Sequence, residues 1–152
     1  MTIEDVIKSV QPMDIPTRTV INMMYTSRYM EEKAASVLKE HDLTIQQYNV
    51  LRILRGQRGV PTNLSTIQER MVDKNSNTTR LVDKLITKGY VNRQVCEQNR
   101  RKVEIFITEE GSALLKTLDP ITLKGNEELI ANLSETELET LNNLLDKLRN
   151  DE

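Results

Sequence analysis

The sequence predicts a mostly α-helical fold with one small β hairpin, and three observations carry that prediction. Apolar residues recur at spacings of three and four along most of the 152 residues. Only residues 90–107 switch to a period of two, where Val103, Ile105 and Ile107 alternate with Glu104, Phe106 and Thr108. Aromatic residues make up 3% of the chain and Trp is absent, so the core must come from Leu, Ile, Val and Met, which suits packed helices better than a β-sandwich.

After a loose start, Asp14 or Thr17 can cap a helix on which Val20, Met23, Met24, Ser27, Met30, Ala34, Val37 and Leu38 share a face. That helix should end near His41-Asp42. Thr44-Ile45-Gln46-Gln47 is a capping box, in which the Thr hydroxyl and the Gln amide satisfy each other's free backbone donors; Tyr48, Leu51 and Leu54 continue the helix until Gly56-Gln57-Arg58-Gly59. Val60-Pro61-Thr62 reads as an extended link. Asn63 or Ser65 opens a third helix with Leu64, Ile67 and Met71 inward, and the polar turn Val72-Asp73-Lys74 follows. A fourth helix runs from about Asn75 to Lys88, with Thr78, Leu81, Val82, Leu85 and Ile86 on one face and Ser76, Thr79, Arg80, Asp83 and Lys84 on the other; Gly89 stops it. Two short helices joined by a few residues, the second with small polar and basic side chains near its start, have the layout of a helix-turn-helix.

Next comes the hairpin, in which Tyr90–Cys96 and the alternating run flank the turn Glu97-Gln98-Asn99, so that Arg100, Arg101 and Lys102 lie at or near the tip. Thr108 caps a fifth helix. Asp119-Pro120 should kink or interrupt it, because proline lacks a backbone donor and disfavours helix at the preceding residue. Ser134-Glu135-Thr136-Glu137 is a second capping box, opening a last helix with Leu138, Leu141, Leu145 and Leu148 on one seam. That seam is too long and apolar for a lone helix in water and points to pairing across a two-fold axis.

The net charge of −2 conceals a strong asymmetry. Residues 69–102 hold nine Lys/Arg against four Asp/Glu, whereas residues 104–152 hold four against twelve. A basic middle can present one positive face although the whole chain is acidic. No stretch approaches the apolar length of a membrane span, and MTIEDVIKSV has acids where a signal peptide would have cations, so a cytoplasmic protein is expected. One Cys and one His leave no internal disulfide and no ordinary zinc site. Without a phosphate-cradling glycine loop or a paired nucleophile and base, an enzyme is the least favoured class, and no cofactor is called for. Cys96 reads as an ordinary strand residue, His41 as a partner of a helix C-terminus, and Met23, Met24 and Met30 as packing. The Asn-X-Ser/Thr triplets at Asn63, Asn77 and Asn132 carry no meaning without a secretion signal.

Three segments carry a resemblance to a known family. Leu43-Thr44-Ile45-Gln46-Gln47-Tyr48-Asn49-Val50-Leu51 resembles the second-helix opening of the MarR family of winged helix-turn-helix regulators. Thr79-Arg80-Leu81-Val82-Asp83-Lys84-Leu85 with Lys88-Gly89-Tyr90-Val91 resembles its recognition helix and exit, and Asn99-Arg100-Arg101 with Ile107-Thr108 and Gly111 is similar to its wing signature. The resemblance implies one winged helix-turn-helix protein over residues 1–152, with a DNA-binding core at 43–111 and dimerisation helices at 14–42 and 112–152. It further implies a homodimer on a pseudo-palindromic operator in double-stranded DNA, a repressor more often than an activator, and a phenolic or other small lipophilic effector bound between the dimer helices and the winged domain. No membrane partner is implied.

On this reading Asn75, Ser76, Asn77, Thr79, Arg80 and Lys84 face DNA from the recognition helix, and Asn99, Arg100, Arg101 and Lys102 face it from the wing. Asn suits adenine edges, Arg suits guanine or phosphate, and Ser or Thr suits phosphate; which residue meets a base stays open at this stage. Leu138, Leu141, Leu145 and Leu148 are the dimerisation residues. Two departures stand out: Asn99 replaces the acid that usually holds the wing arginine, and Val72 stands where the family often has Gly in the turn. The second reading is a winged helix used only for protein contacts, with the basic stripe meeting an acidic partner.

Overall fold

The computed structural model describes residues 1–150, and among these seven helices and two strands follow in order. They are α1 Ile3–Ile7, α2 Ile15–Lys39, α3 Ile45–Gly56, α4 Leu64–Arg70, α5 Thr78–Thr87, β1 Val91–Cys96, β2 Asn99–Ile107, α6 Glu109–Ile130 and α7 Glu135–Leu148. The architecture is mostly helical with a two-stranded antiparallel wing, as the sequence predicts.

The helix boundaries follow from side-chain capping. Asp14 Oδ1, rather than Thr17, accepts the free N–H of the first turn of α2, at 2.9 Å. The Thr44 hydroxyl accepts from Gln47 N at 3.1 Å while Gln47 Oε1 accepts from Thr44 N at 3.2 Å, and Ser134 and Glu137 make the same exchange at the start of α7. Each exchange satisfies two donors that a helix start otherwise leaves orphaned.

Two expectations change. The chain does not start loosely: Thr2 and Asp5 form a capping box around α1, Ile3 is buried, and Arg18 Nε donates to Glu4 Oε1 at 2.5 Å. A five-residue helix lacks intrinsic stability, so α1 exists because α2 holds it. Pro120 does not interrupt α6, which runs through it. The carbonyl that Pro120 cannot serve belongs to Lys116; both residues are exposed, so water replaces the missing donor, and Arg55 holds the adjacent Asp119 by a fork at 2.8 and 3.0 Å.

The core is one cluster around α3. Val50, Leu51 and Leu54 meet Ile67 and Met71 from α4 and its end, Val82 and Leu85 from α5, Val91 and Ile105 from the wing, and Leu115 and Leu118 from α6. The recognition helix and the hairpin therefore share one rigid base. By contrast, α7 contributes no buried residue: Leu138 and Leu145 are half-buried, while Leu141 and Leu148 are exposed. No helix is long and apolar enough to cross a membrane, among the residues described.

Candidate nucleic-acid interface

The turn between α4 and α5 is built by polar side chains rather than by glycine. Asp73 Oδ1 accepts from Asn75 N at 2.9 Å and its carbonyl accepts from Ser76 N at 3.2 Å, a compact Asx turn. Val72 stays out of the left-handed region, and its N–H donates to Asn49 Oδ1 on α3 at 2.9 Å. Gln68 on α4 staples the unit, donating to the Lys74 carbonyl at 3.0 Å and accepting from the Thr78 hydroxyl. The absence of glycine at Val72 is thus resolved by a turn shape that needs none.

Because Asp73 takes up the backbone N–H groups of Asn75 and Ser76, α5 starts at Thr78 instead of near Asn75. Asn77 becomes its cap, with Oδ1 accepting from Arg80 N at 3.1 Å. A bidentate contact with adenine needs both the oxygen and the nitrogen of the amide, so half of that pair is already engaged. Ser76 Oγ is buried with no hydrogen-bond partner among the described residues. Asn75, Thr79, Arg80 and Lys84 are exposed. The first turns of α3 and α5 open on one cleft of about 290 Å³ bounded by Thr44, Gln46, Ser76, Arg80 and Lys84, with Asp73, whose carboxylate is engaged by Asn75 N, also on its wall. Two helix starts and two cations together make a site suited to an anionic backbone.

Asp83, the sole acid on α5, lies on the same exposed side. Arg93 on β1 donates to its carboxylate at 2.9 Å. Both side chains are about half exposed, so the pair adds little stability, but it neutralises the acid beside Arg80 and Lys84 and ties wing to helix.

The hairpin pairs Val91 with Ile107 through Val95 with Val103, and then the register breaks, with Cys96 opposite Asn99. Arg100, Arg101 and Lys102 have no partner on β1, so the three cations occupy an unpaired excess on β2, all exposed. Asn99 Oδ1 accepts from the backbone N–H of Arg101 at 3.1 Å. Where an acid would hold the arginine side chain, Asn99 shapes the tip through its backbone and leaves the guanidinium free. At the hairpin's base, the link Val60-Pro61-Thr62 is more than a spacer, because Thr62 exchanges two backbone bonds with Ile105 at 2.9 and 2.7 Å. Thr108 closes the exit, donating its hydroxyl to the Gly89 carbonyl at 2.7 Å and accepting from Gly111 N at 3.0 Å.

The predicted residues thus fall into two groups on one rigid base: the α5 face and the hairpin tip. Leu138, Leu141, Leu145 and Leu148 lie apart, on α7. Sequence reasoning missed Gln68, Asn49 and Arg93. The first two bond backbone atoms distant in sequence, which no local pattern announces; Arg93 stands ten residues from Asp83 on another element.

A recognition-like helix stapled to its partner and flanked by a cationic hairpin defines a winged helix-turn-helix protein. The MarR family profile matches residues 43–103. HTH-type transcriptional regulator SarZ of Staphylococcus aureus is 33% identical over 120 residues, 78% of this chain and 78% of that protein. A MarR transcription factor from Planctomyces limnophilus has 28% identity and a TM-score of 0.69, covering 90% of this chain and 98% of that one. A mutant MarR from E. coli, solved with operator DNA, has 25% identity and a TM-score of 0.75 over 89% of this chain and 94% of that one. The chain belongs to the MarR family of transcriptional regulators. These relatives are regulators rather than enzymes.

Proposed function

We propose that the protein is a homodimeric repressor of a pseudo-palindromic operator, released by a small phenolic or lipophilic effector. On this reading α5 enters the major groove and the hairpin tip enters an adjacent minor groove, where negative potential is concentrated. The observation that carries it is the exposed, unpaired run Arg100-Arg101-Lys102, bulged out of a hairpin whose β1 strand is tied to α5 by Arg93 and Asp83. The relative solved with operator DNA supports the same reading.

Dimerisation is supported by apolar surface left open on the terminal elements: Val10, Ile15, Val20 and Met24 near the start, and Leu141, Leu144 and Leu148 on α7. Such surface is rarely left to water in a stable monomer. The effector reading rests on a cleft of about 410 Å³ between α2, α3 and α6. Its walls include Val37, Leu38, Ile45 and Leu129, and at its rim Arg52 lies 5.8 Å from the Tyr48 ring and Lys33 lies 5.6 Å from the Tyr29 ring. Apolar walls with cations and aromatic rings suit a flat, weakly acidic ligand.

A duplex selected from genomic fragments, titrated by fluorescence anisotropy at several salt concentrations, tests the reading. Affinity should fall with salt, with a slope of roughly 0.9 per phosphate contact. Light scattering should give twice the 17.5 kDa chain mass. Absence of salt-dependent duplex binding would transfer the basic stripe to an acidic protein partner.

A further inference from the structure

Lys88, the last residue before Gly89 at the end of α5, has an unusual set of partners. Its side chain is three-quarters buried, and its ammonium donates to the Asp42 carbonyl and to Gln47 Oε1, the latter at 3.2 Å. The Asp42 carboxylate lies 3.4 Å away but is almost fully exposed and adds little. Of the two oxygens that matter, the Asp42 carbonyl belongs to the link between α2 and α3 and Gln47 Oε1 to the first turn of α3.

The residues that flank this link, Leu38 at the end of α2 and Ile45 at the start of α3, line the α2–α3–α6 cleft. Leu38, on the cleft, has a carbonyl that accepts from His41 N at 3.0 Å and from Leu43 N at 3.1 Å, so the link is tied to it. Asp42 takes a left-handed φ of 54° to close this turn. On the far side, buried Gln47 sits between Ile45 and Tyr48, both cleft residues, and its Oε1 also accepts from Thr44 N. Lys88 therefore grips the back of the wall whose front faces the cavity. A change in the spacing of Leu38 and Ile45 moves both acceptors, and through the largely buried Lys88 side chain it moves the end of α5.

We propose that Lys88 is a positioning residue that couples the contents of the cleft to the placement of the recognition helix. The proposal rests on the effector reading above and names its route. It requires no ligand to test, because Gly125 lines the cleft and a Cβ there meets nothing within 4 Å, so Gly125→Phe can fill the space from within.

Operator affinity is measured by anisotropy for the wild type, Gly125→Phe, Lys88→Met and the double variant, with Lys88→Gln replacing Lys88→Met should the latter melt early. Gly125→Phe should weaken binding by about tenfold in the Lys88 background, within the usual range of coupling. It should weaken binding less than about twofold when Lys88 is Met, and Lys88→Arg, which keeps a cation with several donors, should restore most of the difference. A merely structural Lys88 would lower stability without changing the response to Gly125→Phe. An equal loss in both backgrounds overturns the role of Lys88 and leaves the cleft reading intact. No loss from Gly125→Phe in the wild-type background overturns both.

Discussion

Replacing Gly111 with alanine should destabilise the protein by about 2 kcal/mol, against the usual trend for a glycine inside a helix. Gly111 lies in the first turn of α6, and a Cβ there would stand 2.4 Å from the Tyr90 carbonyl oxygen and 2.7 Å from Ile107 Cγ1. The closer neighbour is backbone, and that carbonyl already accepts from Thr108 N at 3.0 Å, so it cannot swing aside cheaply. Overpacking of this kind costs about 1 to 3 kcal/mol and sometimes more. Helix propensity returns at most about 1 kcal/mol. With backbone as the nearest neighbour the upper end of the overpacking range, about 3 kcal/mol, applies; the clash therefore wins by about 2 kcal/mol, and the midpoint should fall by roughly 4 to 8 °C for a chain of this size. Thermal and urea denaturation at one fixed protein concentration measure it, since the proposed dimer would make the midpoint concentration-dependent. A variant as stable as the wild type, or more stable, would refute the close approach of the wing exit to α6.

Four further outcomes are expected. Arg101→Ala should weaken operator binding and lower the salt slope by roughly 0.9, with fold and dimer mass unchanged; an unaltered slope by anisotropy would leave the wing passive. Arg80→Ala should cost about 1 to 3 kcal/mol on the operator if it reads a base and lose equally on random duplex if it holds a phosphate, whereas Asn77→Ala should lower the melting midpoint through loss of a cap worth about 1 kcal/mol. Removing residues 134–152 should give monomers or aggregates in light scattering, and a truncated dimer would exclude the α7 seam. The fork from Arg55 holds the Asp119 carboxyl below its ordinary value, so its stabilisation is complete above that ordinary value and is lost as pH falls through the depressed one. Asp119→Asn should therefore flatten the acid limb of stability against pH, and only slightly, since both partners are substantially exposed.

Much of this architecture was legible because its signals are local. The boxes at Thr44 and Ser134, the cap at Thr108 and the stop at Gly89 each act within a few residues, and the alternation of Val103, Ile105 and Ile107 reveals its own buried face. The structure departs from the sequence reading where distant groups decide. α1 depends on Arg18 and on the burial of Ile3, and the start of α5 depends on a turn closed by Asp73. Pro120 remains helical because the carbonyl it frees lies on an exposed face, which its dipeptide context does not reveal. The residues expected to face DNA show the same division: Arg80 and the three wing cations were evident from charge and order, but the burial of Ser76 Oγ and the cap role of Asn77 follow from where the helix begins.

The register break in the hairpin has a consequence for how such a protein can diversify. A one-residue slip within a ladder would carry Ile105 from the interior to the surface and wreck the fold. Here the register breaks after the Val95–Val103 pair and closes again at Cys96 and Asn99, and the three cations fill the bulge between the two pairs. Residues can therefore be inserted, lost or exchanged at the tip without shifting the phase of the strand beneath. Reach and charge of the hairpin tip are free to drift, with the proposed minor-groove contact, as operators change, while the part that keeps the protein folded stays under separate selection.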